Sequence, residues 1–238
     1  MRVSGQPTFN TTGPSRSRRY PYWPAKTNLL LWSLVFLITI TGLSISGPGL
    51  PRVNASTRNG GIARSSTLAG QLLVAKPDLR DPRFVRSVVY IFEHDATGAM
   101  GLILNRPVRE VSLAELLEQA GLDGTGVKGE IRLHFGGPVE PGKGFVLHTA
   151  DYKTEGTKAV NNGIAVTTRI EILRAISTNT GPRKSLFMLG YAGWAANQLE
   201  SEIQAGAWEI VPPDEELVFD EHAETKWDRA MAKRTIYL

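Results

Sequence analysis

The sequence contains no cysteine. That absence removes thiolate nucleophiles, cysteine-based zinc sites and thiol redox switching. It leaves the compartment open, because a cysteine-free chain survives in any of them. No G-x-S-x-G nucleophile elbow occurs either, which withdraws the usual serine-hydrolase signature. Histidine is scarce, and His94, His134, His148 and His222 share no helical i+3 or i+4 spacing, so no metal site is expected. Acidic residues are missing altogether from the first 67 positions, which hold eight Arg and Lys. Subtracting those eight from 27 leaves 19 basic against 23 acidic residues in 68–238. The overall charge of +4 therefore averages a basic tail with a mildly acidic body, and a basic surface for nucleic acid is not expected on the body. With 42% apolar residues the chain can bury a core, which argues against disorder as a whole.

Within the tail, residues 29–46 are almost wholly apolar and no charge falls between Lys26 and Arg52. The length approaches the roughly 20 residues that span a bilayer as a helix. Four readings stand: a cleavable export signal, an uncleaved anchor with Arg16, Arg18, Arg19 and Lys26 on the cytoplasmic side, a targeting peptide, or translated upstream DNA. The expected organisation is an N-terminal extension over 1–67 and one folded domain over 68–238.

From Leu68 onward, short runs rich in branched residues read as strands: 71–75, 87–92, 101–104, 131–135, 145–148, 163–167, 186–189 and 208–211. Helices are expected from Ser112, where Ser-x-x-Glu has capping-box spacing, and from Thr168, where it recurs as Thr-x-x-Glu. Two more are expected over 194–203 and 224–234, the last placing Trp227, Ala230 and Met231 on one face. Strands and helices mix without strict alternation, which favours an α+β fold. Gly124-Thr125-Gly126-Val127-Lys128-Gly129 matches G-x-G-x-x-G, but it follows a helix and leads into a strand. That is the reverse of a dinucleotide loop, so it reads as a connection. Glu93-His94-Asp95 ends a strong strand and is either an acid/base group or the polar start of a turn. Arg80, Arg83 and Arg86 interleave with Asp78 and Asp81, which favours local ion pairs.

Glycines and aromatics gather at strand ends in His134-Phe135-Gly136-Gly137-Pro138-Val139, Gly144-Phe145-Val146-Leu147-His148 and Gly190-Tyr191-Ala192-Gly193-Trp194. Such glycines serve either a ligand cleft or a sharply curved sheet. These segments, with Asp81-Pro82-Arg83-Phe84, Gly101-Leu102-Ile103-Leu104-Asn105-Arg106-Pro107 and Ala207-Trp208, resemble the YqgE/AlgH family of bacterial proteins over 68–238. The resemblance implies a bent mixed sheet forming a pseudo-barrel, flanked by about four helices, in a usually cytoplasmic protein with no agreed reaction. It also implies a transcriptional-regulator label, for which no DNA-binding motif is present, so any such action is expected to be indirect. A thiol-based mechanism cannot operate in this cysteine-free member. Because family members commonly begin near Leu68, we take 1–67 as a misassigned start or a dispensable addition in preference to a relocated protein. A membrane-anchored or exported protein remains the alternative.

Two function classes follow. The first is a non-enzymatic regulatory or interaction module, with no cofactor, that binds a protein or small ligand at a face built from Asn105, Arg106, Pro107, Gly136, Gly137, Pro138, Gly190, Tyr191 and Trp194. The second is an enzyme using Glu93, His94 or His148 as acid/base groups, with Arg106 holding an anion.

Overall fold

A computed structural model describes residues 67–161 and 163–234; the extension, with its apolar segment 29–46, lies outside them. Among the described residues no helix is long and apolar enough to cross a membrane. The elements run in the order β1 (Leu72–Ala75), β2 (Val88–Asp95), β3 (Gly98–Ile103), β4 (Pro107–Ser112), α1 (Leu113–Gln119), β5 (Glu130–Phe135), β6 (Val139–Thr149), β7 (Thr157–Ala159) and β8 (Ile164–Thr167). They continue with α2 (Ile172–Ser177), β9 (Ser185–Ala195), α3 (Gln198–Gln204), β10 (Trp208–Val211), α4 (Glu215–Phe219) and α5 (Ala223–Ala232). The strands form a ten-stranded sheet in the order β10-β1-β2-β3-β9-β6-β8-β7, with β5 beside β9 and β4 beside β5. All pairs are antiparallel except β5 with β9. The sheet curls into a half-barrel, with five helices among the described residues.

The apolar runs have a direct cause: the central strands are covered on both faces, so both sets of alternating side chains must be apolar. On β2, Val88, Tyr90 and Phe92 join a core closed by Leu217, Val218, Trp227, Ala230 and Met231 of α4 and α5. Val89 and Ile91 join a second core with Leu199 of α3, Trp194 and Trp208. A third core packs Leu113 and Leu117 of α1 and Ile172 and Leu173 of α2 over Leu133, Val146 and Phe187.

Most expected elements are present, with differences that have local reasons. Ser112 caps α1 by accepting from the Glu115 amide at 3.5 Å, as the capping-box spacing predicts. The box at Thr168 does not start a helix; Ile170 and Glu171 make a turn first and α2 begins at Ile172 without a side-chain cap. The helix expected from Trp194 begins only at Gln198, because Trp194 and Ala195 extend β9 along β3 and Asn197 takes a left-handed φ of 60°. The sequence pattern does not predict strands β4 and β7 or helix α4.

Candidate functional site

The segment after β3 is fixed by its own polar side chains. Asn105 accepts the Val88 amide through Oδ1 at 2.9 Å and donates through Nδ2 to the Arg86 carbonyl at 2.8 Å. It thereby pins a turn in which Arg86 has a positive φ of 53°. The Arg86 guanidinium lies 4.0 Å from the Trp227 ring centre and bonds Asp228 at 2.8 Å. Next in sequence, Arg106 donates to the Val85 carbonyl at 2.5 Å.

Backbone hydrogen bonds then tie the end of β3 and the Arg106 turn to the end of β5, and that end to β9. Ile103 donates to Gly136 at 2.9 Å, Phe135 to Arg106 at 2.8 Å and Gly136 to Leu189 at 2.8 Å. Here the backbones nearly touch. A Cβ on Gly137 would lie 2.0 Å from the Tyr191 carbonyl carbon, and one on Gly190, whose φ is 70°, would lie 2.4 Å from the Gly137 oxygen. No side chain fits these positions, so the glycines serve close backbone crossing in a curved sheet, and ligand space does not open between them. Of the two roles left open by the sequence, curvature is the one the geometry displays.

Other members of the predicted face diverge. The Tyr191 ring packs edge-on to Phe145 at 5.8 Å, and its hydroxyl donates to Glu140 at 3.3 Å. Burial and the Glu140 carboxylate push that phenol above its ordinary range. Trp194 belongs to the other side of the sheet. Its indole N–H and that of Trp208 both donate to Glu202 Oε2, at 2.9 and 2.8 Å, and Phe84 stacks beside it. Arg106, Pro107, Pro138 and Tyr191 retain partly or fully exposed positions. Beside them sit two of the three large apolar side chains singled out by exposure among the described residues, Val85 at 39% and Val108 at 62%.

The candidate acid/base residues each have separate partners. Glu93 pairs with Lys158 at 2.8 Å. His94 Nδ1 accepts the Leu68 amide at 3.0 Å, which leaves Nε2 as the donor to Glu200 at 2.6 Å. His148 is fully buried; Nδ1 donates to the Thr149 carbonyl at 2.9 Å and Nε2 accepts from Thr167 at 2.8 Å. Burial lowers its pKa, so the ring is held neutral. This is hydrogen bonding that joins β2 to α3 and knits β6 to β8. None of the residues predicted for either function class lines either of two open grooves among the described residues, one of about 360 Å³ that includes Arg109 and Val111 of β4 and one of about 690 Å³. No cluster of three or more metal-ligating side chains occurs among the described residues.

Sequence reasoning passed over one group. Lys226 on α5 is fully buried and donates to the Val218 carbonyl at 2.8 Å, and burial lowers its pKa to about 8. His134 on β5 is also buried, with Nδ1 unpartnered. Burial, assisted by the Lys226 charge, lowers its pKa to about 4. The signal was available for Lys226, which follows Ala223 by three and precedes Ala230 by four on the inward stripe of an amphipathic helix.

A half-barrel of this topology with helices on both faces defines an α+β class, and comparison makes the assignment specific. The AlgH-like family model (DUF179) matches residues 72–238, and the chain belongs to that family. A UPF0301 protein of Rhodospirillum rubrum is 44% identical over 166 residues, covering 70% of this chain and 86% of that one. One from Afipia carboxidovorans is 45% identical over 174 residues, covering 70% and 83%. The solution structure of AlgH from Pseudomonas aeruginosa superposes with a TM-score of 0.62 at 36% identity, over 76% of this chain and 94% of that one. The crystal structure of DIP2367 from Corynebacterium diphtheriae, at 21% identity and a TM-score of 0.57, shares the fold over 77% and 92%.

Proposed function

We propose that this protein is a non-enzymatic, cytoplasmic interaction module that acts on regulation through a protein partner, and that it docks that partner at the start of β4. The observation that carries the reading is Val108. It is 62% exposed, where the register with β5 shifts between Pro107 and Arg109. Strand β4 pairs with β5 alone among the described strands, so its outer edge is of the kind that accepts an added strand or a shaped apolar surface. Exposed Val85, tied to Arg106 by its carbonyl, supplies a second apolar contact beside an arginine, a residue type enriched at interfaces. The interlocked 103–107, 135–137 and 189–191 segments give this surface a rigid base. The partners already held by Glu93, His94 and His148 favour this reading over acid/base catalysis.

Affinity capture with the full chain tests it. Val108→Asp and Arg106→Ala should each deplete the same captured protein, while Glu155→Ala, at an exposed position far along the chain, should not. Capture that is indifferent to both changes would contradict the surface.

A further inference from the structure

The Gly124–Gly129 connection, which does not fit a dinucleotide loop, forms one wall of the 690 Å³ groove through residues 125–128, and α2 with its flanking residues and Tyr152 forms the rest. That volume lies within the roughly 300–1,000 Å³ of small-molecule sites. The wall contributed by the loop has unused donors: among the described residues the Gly126 amide and the Lys128 ammonium have no hydrogen-bond or ion-pair partner. Opposite them, the Arg174 guanidinium is oriented by one bond, from Nη2 to the Asp123 carbonyl at 2.6 Å, which leaves its other N–H groups uncommitted. The nearby Asp123 carboxylate is itself committed, accepting the Thr125 amide at 2.8 Å. The remaining charged lining residue is Glu171, an exposed carboxylate immediately before α2. Tyr152 is half-buried, its ring held edge-on to His148 at 6.2 Å.

We infer that this groove binds a small phosphate monoester bearing hydroxyls and a ring, of the size and chemistry of a nucleoside monophosphate. A phosphate monoester carries about −1.5 to −2 charges near neutrality, matched by Lys128 and Arg174. Its oxygens accept from the Gly126 amide and the two cations, Arg174 offering the planar fork suited to phosphate. Glu171, an acceptor only, takes the hydroxyl groups, and Tyr152 offers a ring face. A dinucleotide is disfavoured because the loop leads into β5 and no helix N-terminus follows it to hold a pyrophosphate. The site is separate from the surface at β4, and neither depends on the other.

The test is a titration of the full chain, labelled with ¹⁵N-glycine, with AMP, inorganic phosphate and adenosine, followed at the Gly126 amide. AMP should bind more tightly than phosphate, and adenosine least. Lys128→Gln, at an exposed side chain with no polar partner among the described residues, should weaken AMP and phosphate by about tenfold, as expected for one charge-assisted hydrogen bond. Glu171→Gln should weaken AMP while leaving phosphate unchanged. The proposal fails if Gly126 shows no saturable shift at millimolar AMP, if sodium chloride of matched ionic strength gives the same shift, or if Lys128→Gln binds as the native chain does.

Discussion

Removing the buried ammonium of Lys226 should change how stability depends on pH. The side chain is fully buried, its bond is to a neutral carbonyl, and no carboxylate among the described residues pairs with it. Burial depresses its pKa from 10.5 to about 8. Below pH 8 both folded and unfolded chains carry the proton and the desolvation cost is borne in full. Between about 8 and 10.5 the unfolded chain keeps a proton that the folded chain has released, so stability rises with pH across that window. From pH 7 to 9.5 the gain from this one group is about 2 kcal/mol. In Lys226→Met the cost is removed at every pH, partly offset by about 1 kcal/mol for the Val218 carbonyl left without a donor. Urea unfolding of the full chain followed by tryptophan fluorescence at pH 7, 8, 9 and 9.5 measures the difference. The upper limit matters: burial pushes the Tyr90 hydroxyl well above its ordinary range, and stability falls with pH once that phenol ionises in the unfolded chain. Native and variant profiles should diverge at pH 7, with the variant the more stable, and converge toward pH 9.5. Parallel profiles would refute the assignment of a desolvated, unpaired ammonium.

Two further outcomes follow from the same packing. His134, depressed from 6.5 to about 4, contributes stability that is present above pH 6.5 and lost as pH falls toward 4, about 3 kcal/mol in all. His134→Leu should flatten that limb of the acid unfolding curve, and an unchanged limb would count against it. Gly190→Ala should cost more than about 2 kcal/mol, combining a left-handed φ with a Cβ driven onto the Gly137 carbonyl. Gly142→Ala, where a Cβ meets open space, should be near neutral in the same unfolding assay.

The sheet was legible in the sequence because burial on both faces turns β1, β2 and β8 into continuous branched runs. Strand β4 was illegible for the opposite reason: its first four residues are exposed, so Pro-Val-Arg-Glu carries neither an apolar run nor clean alternation. Strand β7 is three residues long and two of them, Thr157 and Lys158, are polar, and α4 is a single turn and a half set by the Asp214 cap. Trp194 looked helical because the apolar residues after it continue at helical spacing; only Asn197, in a left-handed conformation, separates strand from helix. The family was readable from ordered motifs. What those motifs do was not, because a Gly-Gly-Pro strand end looks the same in a cleft and in a tight crossing, and the distinction lies in a backbone remote in sequence passing so close that an added Cβ would fall 2.0–2.4 Å from it. Asn105 illustrates the same limit: a conspicuous polar residue beside Arg106 proves to be the clamp for a turn 19 residues earlier.

The claim that β4 presents a docking surface is tested most directly by a photocrosslinking amino acid in place of Val108, installed in the full chain inside its own cells. The account predicts one discrete crosslinked protein from position 108 that is lost when Arg106→Ala is added and absent when the probe replaces Glu155. No adduct at 108, or the same adducts at 108 and 155, would contradict it.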